Sequence, residues 1–254
     1  MAAPNALQPT NLLSERVLLP GDPGRALMLA ESLLDGAKMF NHNRGLWGYT
    51  GFAPDGEPLT IQSTGMGGPS AAIVIHELID LGARRLLRVG TCGALAPLRL
   101  GDLVIVTEAI AADGTSRALG ADERVLASQD LLDTVIATAE SPFPDERHGD
   151  HAIQQGPVAT SDLFYDDRGL ERRWLAAGAL AVEMEAATLF SLAANRGVQA
   201  AALLVVSDII LPERIRIGQE ELRAAERRMG EAALRALTAG GARAQASSAR
   251  GSQP

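Results

Sequence analysis

The sequence predicts an α/β protein, a single domain in which a central β-sheet is flanked by helices. Three observations carry that expectation. Short β-branched or leucine-rich runs alternate with helical patterns along the chain. Turn-forming Gly and Pro sit where one pattern gives way to the next. No linker-like shift in composition and no internal repeat divides the 254 residues, a length that suits one large domain.

In chain order, the expected strands are Val17–Leu19, Leu59–Ser63, Leu86–Gly90, Leu103–Thr107, Val158–Thr160 and Ala202–Ser207. The expected helices are Arg25–Leu34, Ser70–Leu81, Met184–Asn195 and Gln219–Leu237. In Ser70–Leu81, the residues Ile73, Ile75, Leu78, Ile79 and Leu81 make a wide apolar face, and Gly82 is placed to stop the helix. Residues 1–14 read as a polar lead-in, 15–238 as the domain, and 239–254 as a small, polar tail expected to lack order. The stretch 139–152, with Pro, Gly and mixed charge, reads as a surface loop.

Composition removes several function classes. A net charge of −8 argues against a nucleic-acid binder, which needs a basic face. The single cysteine, Cys92, excludes an intrachain disulfide and reads as a packed thiol. The four histidines, His42, His76, His148 and His151, match no metal spacing, so no metal is expected. The sequence has neither a signal-like start nor an apolar stretch near the roughly 20 residues that span a bilayer, so no membrane contact and a cytoplasmic location are expected.

What remains is chemistry at the ends of the expected strands, where ligands collect in such folds. Pro20-Gly21-Asp22-Pro23-Gly24-Arg25 joins a strand to a helix, and free N–H groups at a helix start favour an anion; an ordinary turn with a solvated Arg is the alternative. Gly65-Met66-Gly67-Gly68-Pro69-Ser70 lacks the third glycine of a dinucleotide fingerprint and suits a helix start better. Arg88, in Arg88-Val89-Gly90-Thr91-Cys92-Gly93, lies inside an apolar strand where an unpaired charge is costly, so it needs a protein or ligand partner. Arg44 stands in Asn43-Arg44-Gly45.

Guanidinium holds a tetrahedral oxyanion bidentately and is permanently charged, so Arg25, Arg44 and Arg88 make a phosphate pocket if they converge. Ser161-Asp162-Leu163-Phe164-Tyr165 puts aromatic rings after a strand, suited to stacking on a base or simply to a core. Glu183-Met184-Glu185 sets two carboxylates at a helix start, where the dipole favours them and where they also suit ribose hydroxyls. Ser207-Asp208 ends the apolar run Ala200–Val206, at a strand tip.

Taken together these segments resemble the hexameric purine nucleoside phosphorylases and the wider family they share with uridine phosphorylases and nucleosidases. Seven motifs between residues 20 and 208 follow in the same order, and the match continues more loosely to about 238. The resemblance implies a central mixed β-sheet flanked by helices. It implies that Gly21, Arg25, Arg88 and Thr91 hold phosphate, with Arg44 reaching in from a neighbouring subunit of a hexamer built from dimers. Met184 and Glu185 would contact the ribose together with Glu183, Phe164 would stack near the base, and Ser207 and Asp208 would face the purine edge. Asp208 would protonate N7 as the bond breaks, assisted by Arg227; phosphate is a co-substrate and no cofactor is implied.

Two departures stand out. The family's His for the 5′-hydroxyl is replaced by Asn5, which admits a 5′-modified nucleoside such as methylthioadenosine. Arg227 lies farther from Asp208 than usual, so Arg214 and Arg216 compete for its role. Uridine phosphorylase, a hydrolytic nucleosidase and a silent nucleoside-binding protein are the other readings. Asp166-Asp167-Arg168 stands where a uracil enzyme would show a Gln-x-Arg clamp.

Overall fold

The computed structural model describes residues 5–139, 151–166 and 168–250, with 240–250 as helix backbone only. Eleven strands form one mixed sheet among them. Its elements are β1 (Arg16–Leu19), α1 (Pro23–Leu33), β2 (Asp35–Asn41), a 3-10 turn (Asn43–Gly45), β3 (Gly48–Phe52), β4 (Pro58–Gln62), α2 (Gly68–Leu81), β5 (Arg85–Ala94) and β6 (Leu103–Ala111). There follow α3 (Gly114–Ala118), β7 (Arg124–Leu126), α4 (Gln129–Ala139), β8 (Ile153–Thr160), α5 (Leu170–Ala176), β9 (Ala181–Glu183), α6 (Ala186–Arg196), β10 (Gln199–Ile209), β11 (Ile215–Arg216) and α7 (Gln219–Arg250).

Every expected strand and helix is present, and the short elements β2, β3, β7, β9, β11, α3, α4 and α5 join them. Strands β5, β10, β6, β8 and β9 pair in a closed circuit, parallel where β5 meets β10 and antiparallel where β10 meets β6. Strands β5, β6 and β10 are buried on both faces, which is why their sequences are near-continuous apolar runs rather than alternating ones, whereas β8 opens with the exposed Gln154 and Gln155. Leu86, Leu87 and Val89 in β5, and Ala200–Val206 in β10, are fully buried. Each buried Val or Leu stabilises the fold by about 1.5–3 kcal/mol. From β5 the sheet runs out through β1, β4, β3 and β2.

Helices α2, α3 and α6 pack on one another, and α1, α4 and α7 form a second group. Helix α2 ends where expected, at Gly82, whose φ of 118° is open to glycine and strained for other residues.

The polar lead-in is docked: Ala6 and Leu7 are buried, and the Glu77 carboxylate accepts the backbone N–H groups of Asn5, Ala6 and Leu7 at 2.6–3.0 Å. Helix α7 is described as far as Arg250. Most of the loop expected at 139–152, with His148, lies outside the described residues. Among the described residues no helix is long and apolar enough to cross a membrane.

Candidate active site

A cavity of about 420 Å³ opens at the C-terminal ends of the parallel strands, where such folds place ligands. Gly21, Arg25, Arg88 and Thr91 line one end of it. Glu183, Met184 and Glu185 line it beside Arg88, and Phe164, Ser207 and Asp208, gathered around Arg216, make a second cluster in the lining. Side chains drawn from residues 21 to 208 thus meet around one volume.

Arg88 sits in mid-sheet, paired in register with Leu19 of β1 and Ala202 of β10. Its guanidinium folds back over Gly90, where an added Cβ would stand 2.7 Å from Arg88 Cζ, so only glycine admits the arrangement. Arg88 Nε donates to Glu183 Oε2 at 2.9 Å, and Arg88 Nη2 pairs with Glu185 Oε2 at 2.5 Å. Burial alone lowers an arginine's pKa, but the Glu185 and Glu183 carboxylates outweigh it and raise that of Arg88.

Glu183 is fully engaged by the protein. It accepts from Thr160 Oγ1 at 2.6 Å and from the backbone N–H groups of Glu185 and Ala186, besides Arg88. In the free chain Glu183 thus accepts the first N–H groups of α6 and orients Arg88, while also lining the cavity. Glu185, by contrast, holds among the described residues the Gly67 N–H, at 2.5 Å, and Arg88. Burial raises the Glu185 pKa, Arg88 opposes this, and the neighbouring Glu183 charge adds to it. The glycine loop before α2 thus holds the protein's own carboxylate through the Gly67 N–H.

Arg25 is held by a residue the sequence did not flag. Its Nε pairs with Glu226 Oε1 at 2.7 Å, both side chains about nine-tenths buried. The Arg25 backbone N–H is capped by Asp22 Oδ1 at 2.7 Å.

At the far end, a β-bulge in β10 between Val206 and Asp208 turns the strand tip into the cavity. Asp208 Oδ2 accepts from Ser207 Oγ at 2.8 Å, and Asp208 Oδ1 accepts from Arg216 Nε at 3.0 Å. Asp208 and Arg216 face each other across the β10–β11 pair, so the contact is set by register. Phe164 is partly exposed, with the Arg214 guanidinium over its ring at 4.9 Å. Cys92 packs against β10, and burial pushes its thiol pKa far up, which removes it as a nucleophile.

Three expected residues lie elsewhere. Arg227 is exposed on α7 while its neighbour Glu226 faces in, so within this chain the Asp208 partner is Arg216. Arg44 is exposed, with a left-handed φ of 56° in the 3-10 turn. Asn5 is exposed too, and Asn43 Nδ2 donates to its carbonyl at 3.1 Å, so Asn5 and Arg44 share one patch of surface. Glu226 was not foreseen and carried no local signal beyond being charged, whereas Arg216 was one of the three candidates. Met66 and Ile210 also line the cavity.

The fold is thus a mixed α/β sheet with a cavity at its strand ends, lined by arginines, carboxylates and an aromatic ring. The profile of the phosphorylase superfamily matches residues 15–239, and the chain belongs to that superfamily. It is 40% identical over 224 residues to the DeoD-type purine nucleoside phosphorylase of Geobacillus kaustophilus, covering 87% of this chain and 89% of that protein. It is 39% identical to the same-named protein of Clostridium novyi over 206 residues, 79% of this chain and 85% of the other. The uridine phosphorylase of Vibrio fischeri superposes with a TM-score of 0.76 at 29% identity, covering 89% of this chain and 90% of that one.

Proposed function

We propose that the chain is a purine nucleoside phosphorylase, a pentosyltransferase. It cleaves the N-glycosidic bond of ribo- or deoxyribonucleosides with inorganic phosphate, giving free base and (deoxy)ribose 1-phosphate. The observation that carries the reading is the one cavity lined by Arg25 and Arg88 at one end and Asp208 at the other. The purine reading is preferred to uridine because the relatives near 40% identity bear the purine name, and because a buried acid at the base end suits a leaving purine.

The chemistry follows from the placement. Arg25 and Arg88 hold phosphate in line with C1′, which is a positioning effect. Phosphate takes the Arg88 Nη2 that Glu185 occupies, and Glu185 turns its freed oxygen to the ribose hydroxyls. The C1′–N9 bond breaks as the phosphate oxygen bonds to C1′, and Asp208, carrying a proton in the substrate complex, passes it to N7 so that the base leaves neutral; the proton brought in by hydrogen phosphate restores the acid. Arg216 stabilises the carboxylate that remains. Phosphate is a co-substrate, and the scheme uses no metal or organic cofactor.

Arg25 and Arg88 face three buried carboxylates, those of Glu226, Glu183 and Glu185. A bound phosphate therefore calls for a further cation, which we assign to Arg44 of a neighbouring subunit in a hexamer built from dimers. Arg44 and Asn5 share a surface patch outside their own cavity, which supports one element serving the neighbour's phosphate and 5′ ends together. A monomer in sedimentation at assay concentration would sink this assignment.

Incubation with inosine, adenosine, 5′-methylthioadenosine and uridine, with and without phosphate, tests the function. Phosphate-dependent purine release is expected. Release without phosphate would mean a nucleosidase, uridine alone a pyrimidine enzyme, and no release a binding protein. Asp208→Asn is expected to lower kcat by about 10²–10⁴ while leaving phosphate affinity nearly unchanged; undiminished turnover would remove Asp208 from the acid's role.

A further inference from the structure

Strand β10 delivers Asp208 from a residue gripped on both sides, Val206. Toward β5, Val206 pairs with Cys92, and the register then slips before Asp208 meets Gly93. On the other side stands the turn Arg99-Leu100-Gly101-Asp102. Gly101 N–H donates to the Val206 carbonyl at 2.9 Å, and Val206 N–H donates to the Asp102 carbonyl at 2.9 Å. The bulge that carries Ser207 and Asp208 into the cavity therefore starts from a fixed point.

A carboxylate holds that turn together. Asp102 N–H donates to the Arg99 carbonyl at 3.1 Å, and Gly101, with a φ of 81°, takes the third position, where such a turn calls for glycine. Asp102 Oδ2 accepts the Arg99 N–H at 2.9 Å and closes the turn a second time. Asp102 Oδ1 accepts the Ala152 N–H at 2.8 Å and fastens the turn to the chain entering β8. Arg228 of α7 donates to the Gly101 carbonyl. Asp102 is only 3% exposed, with Arg99 Nε at 3.8 Å and His151 Nδ1 at 4.0 Å. A buried carboxylate is costly unless its oxygens are used, and here each oxygen takes a different backbone N–H. An amide offers one acceptor oxygen and turns a second donor on the other N–H.

We infer that Asp102 is a positioning residue for the acid: it holds the turn that fixes Val206, and Val206 fixes where the bulge delivers Asp208. Neither Gly101 nor Asp102 lines the cavity, so the effect passes through the backbone of β10. This rests on the phosphorylase reading. Loosening the turn should impair protonation of N7 and leave the phosphate end, built on other elements, as it was.

The test is Asp102→Asn, assayed on the better of inosine and adenosine and on N7-methylguanosine. The methylated purine is already cationic, so its base leaves neutral without a proton. For the ordinary nucleoside kcat should fall by about 10²-fold, as for a misplacement of about 1 Å. Turnover of N7-methylguanosine should stay within about threefold and the phosphate KM within about twofold of wild type, as expected when only proton delivery suffers. Gly101→Ala disturbs the same turn from its left-handed position and should give the same split; it decides the matter if Asp102→Asn does not fold.

Equal losses on both nucleosides, a raised phosphate KM, no loss on either, or failure of both variants to fold would overturn the inference and leave the phosphorylase reading standing. If wild type refuses the methylated nucleoside, kcat against phosphate KM on the ordinary one decides alone. Wild type that releases no base from any nucleoside would overturn both.

Discussion

The two ends of the cavity are built on opposite plans. At the phosphate end both cations are buried and tied to carboxylates: Arg88 to Glu183 and Glu185, and Arg25 to Glu226. At the base end Phe164, Arg214 and Arg216 are largely exposed, and the acid Asp208 is the buried member. A tethered guanidinium has lost its rotamer freedom before the ligand arrives, so the phosphate end is preorganised. The base end keeps freedom, which suits bases of differing rim.

The strongest way to break this contrast is Arg88→Met. The change removes a phosphate ligand and leaves Glu183 and Glu185 buried without their cation. We expect kcat/KM to fall by about 10²–10³ and stability to fall by about 3 kcal/mol, read by phosphorolysis kinetics and urea unfolding. Activity within tenfold of wild type would mean that Arg88 is structural only. Because the two readouts are separate, a folded and inactive protein assigns the arginine to phosphate.

The sequence showed the two ends unequally, and for a physical reason. Arg88 was legible because a charge inside Leu86-Leu87-Arg88-Val89 is anomalous by burial alone. Asp208 was legible at the end of a long apolar run, and both residues belong to the strands that form the closed circuit of the sheet. Glu226 was not: it lies 201 residues from Arg25, and its neighbour Arg227 matched the motif better. Helix phase decided between them, since Ala225, Glu226 and Met229 face the core and Arg227 does not. Strand β11, two residues long, has no periodicity to read, so Arg216 stayed one of three candidates until pairing set it opposite Asp208. The lead-in read as polar because its anchor, Glu77, sits about 70 residues away.

A second experiment sharpens the base end. Arg216→Ala removes the guanidinium that faces Asp208, and Arg227→Ala removes one that is exposed on α7. We expect about a tenfold drop in kcat for the first, as for one charge-assisted hydrogen bond of about 1.5 kcal/mol, and less than twofold for the second. Stability should move by under about 1 kcal/mol in either, since Arg216 is well exposed. The reverse order of effects would show that α7 brings Arg227 to Asp208 during turnover, and that the base end rearranges more than its pairing in the free chain.

The finest effect concerns Glu185, where the two plans meet. Burial, with the Glu183 charge adding to it, raises its pKa above the ordinary 4.5 despite Arg88, so the folded chain holds this proton more tightly than the unfolded one. Stability from that proton is present in full below the ordinary value and is lost as pH rises through the raised one. Glu185→Gln carries no such proton. The Tm of Glu185→Gln minus that of wild type should therefore grow between pH 5 and pH 8, at about 2–4 °C per kcal/mol for a domain of this size. A constant or shrinking difference would mean that Arg88 fully compensates Glu185. The phosphate would then displace a satisfied ion pair, and the exchange that hands Glu185 to the ribose would lose its driving force.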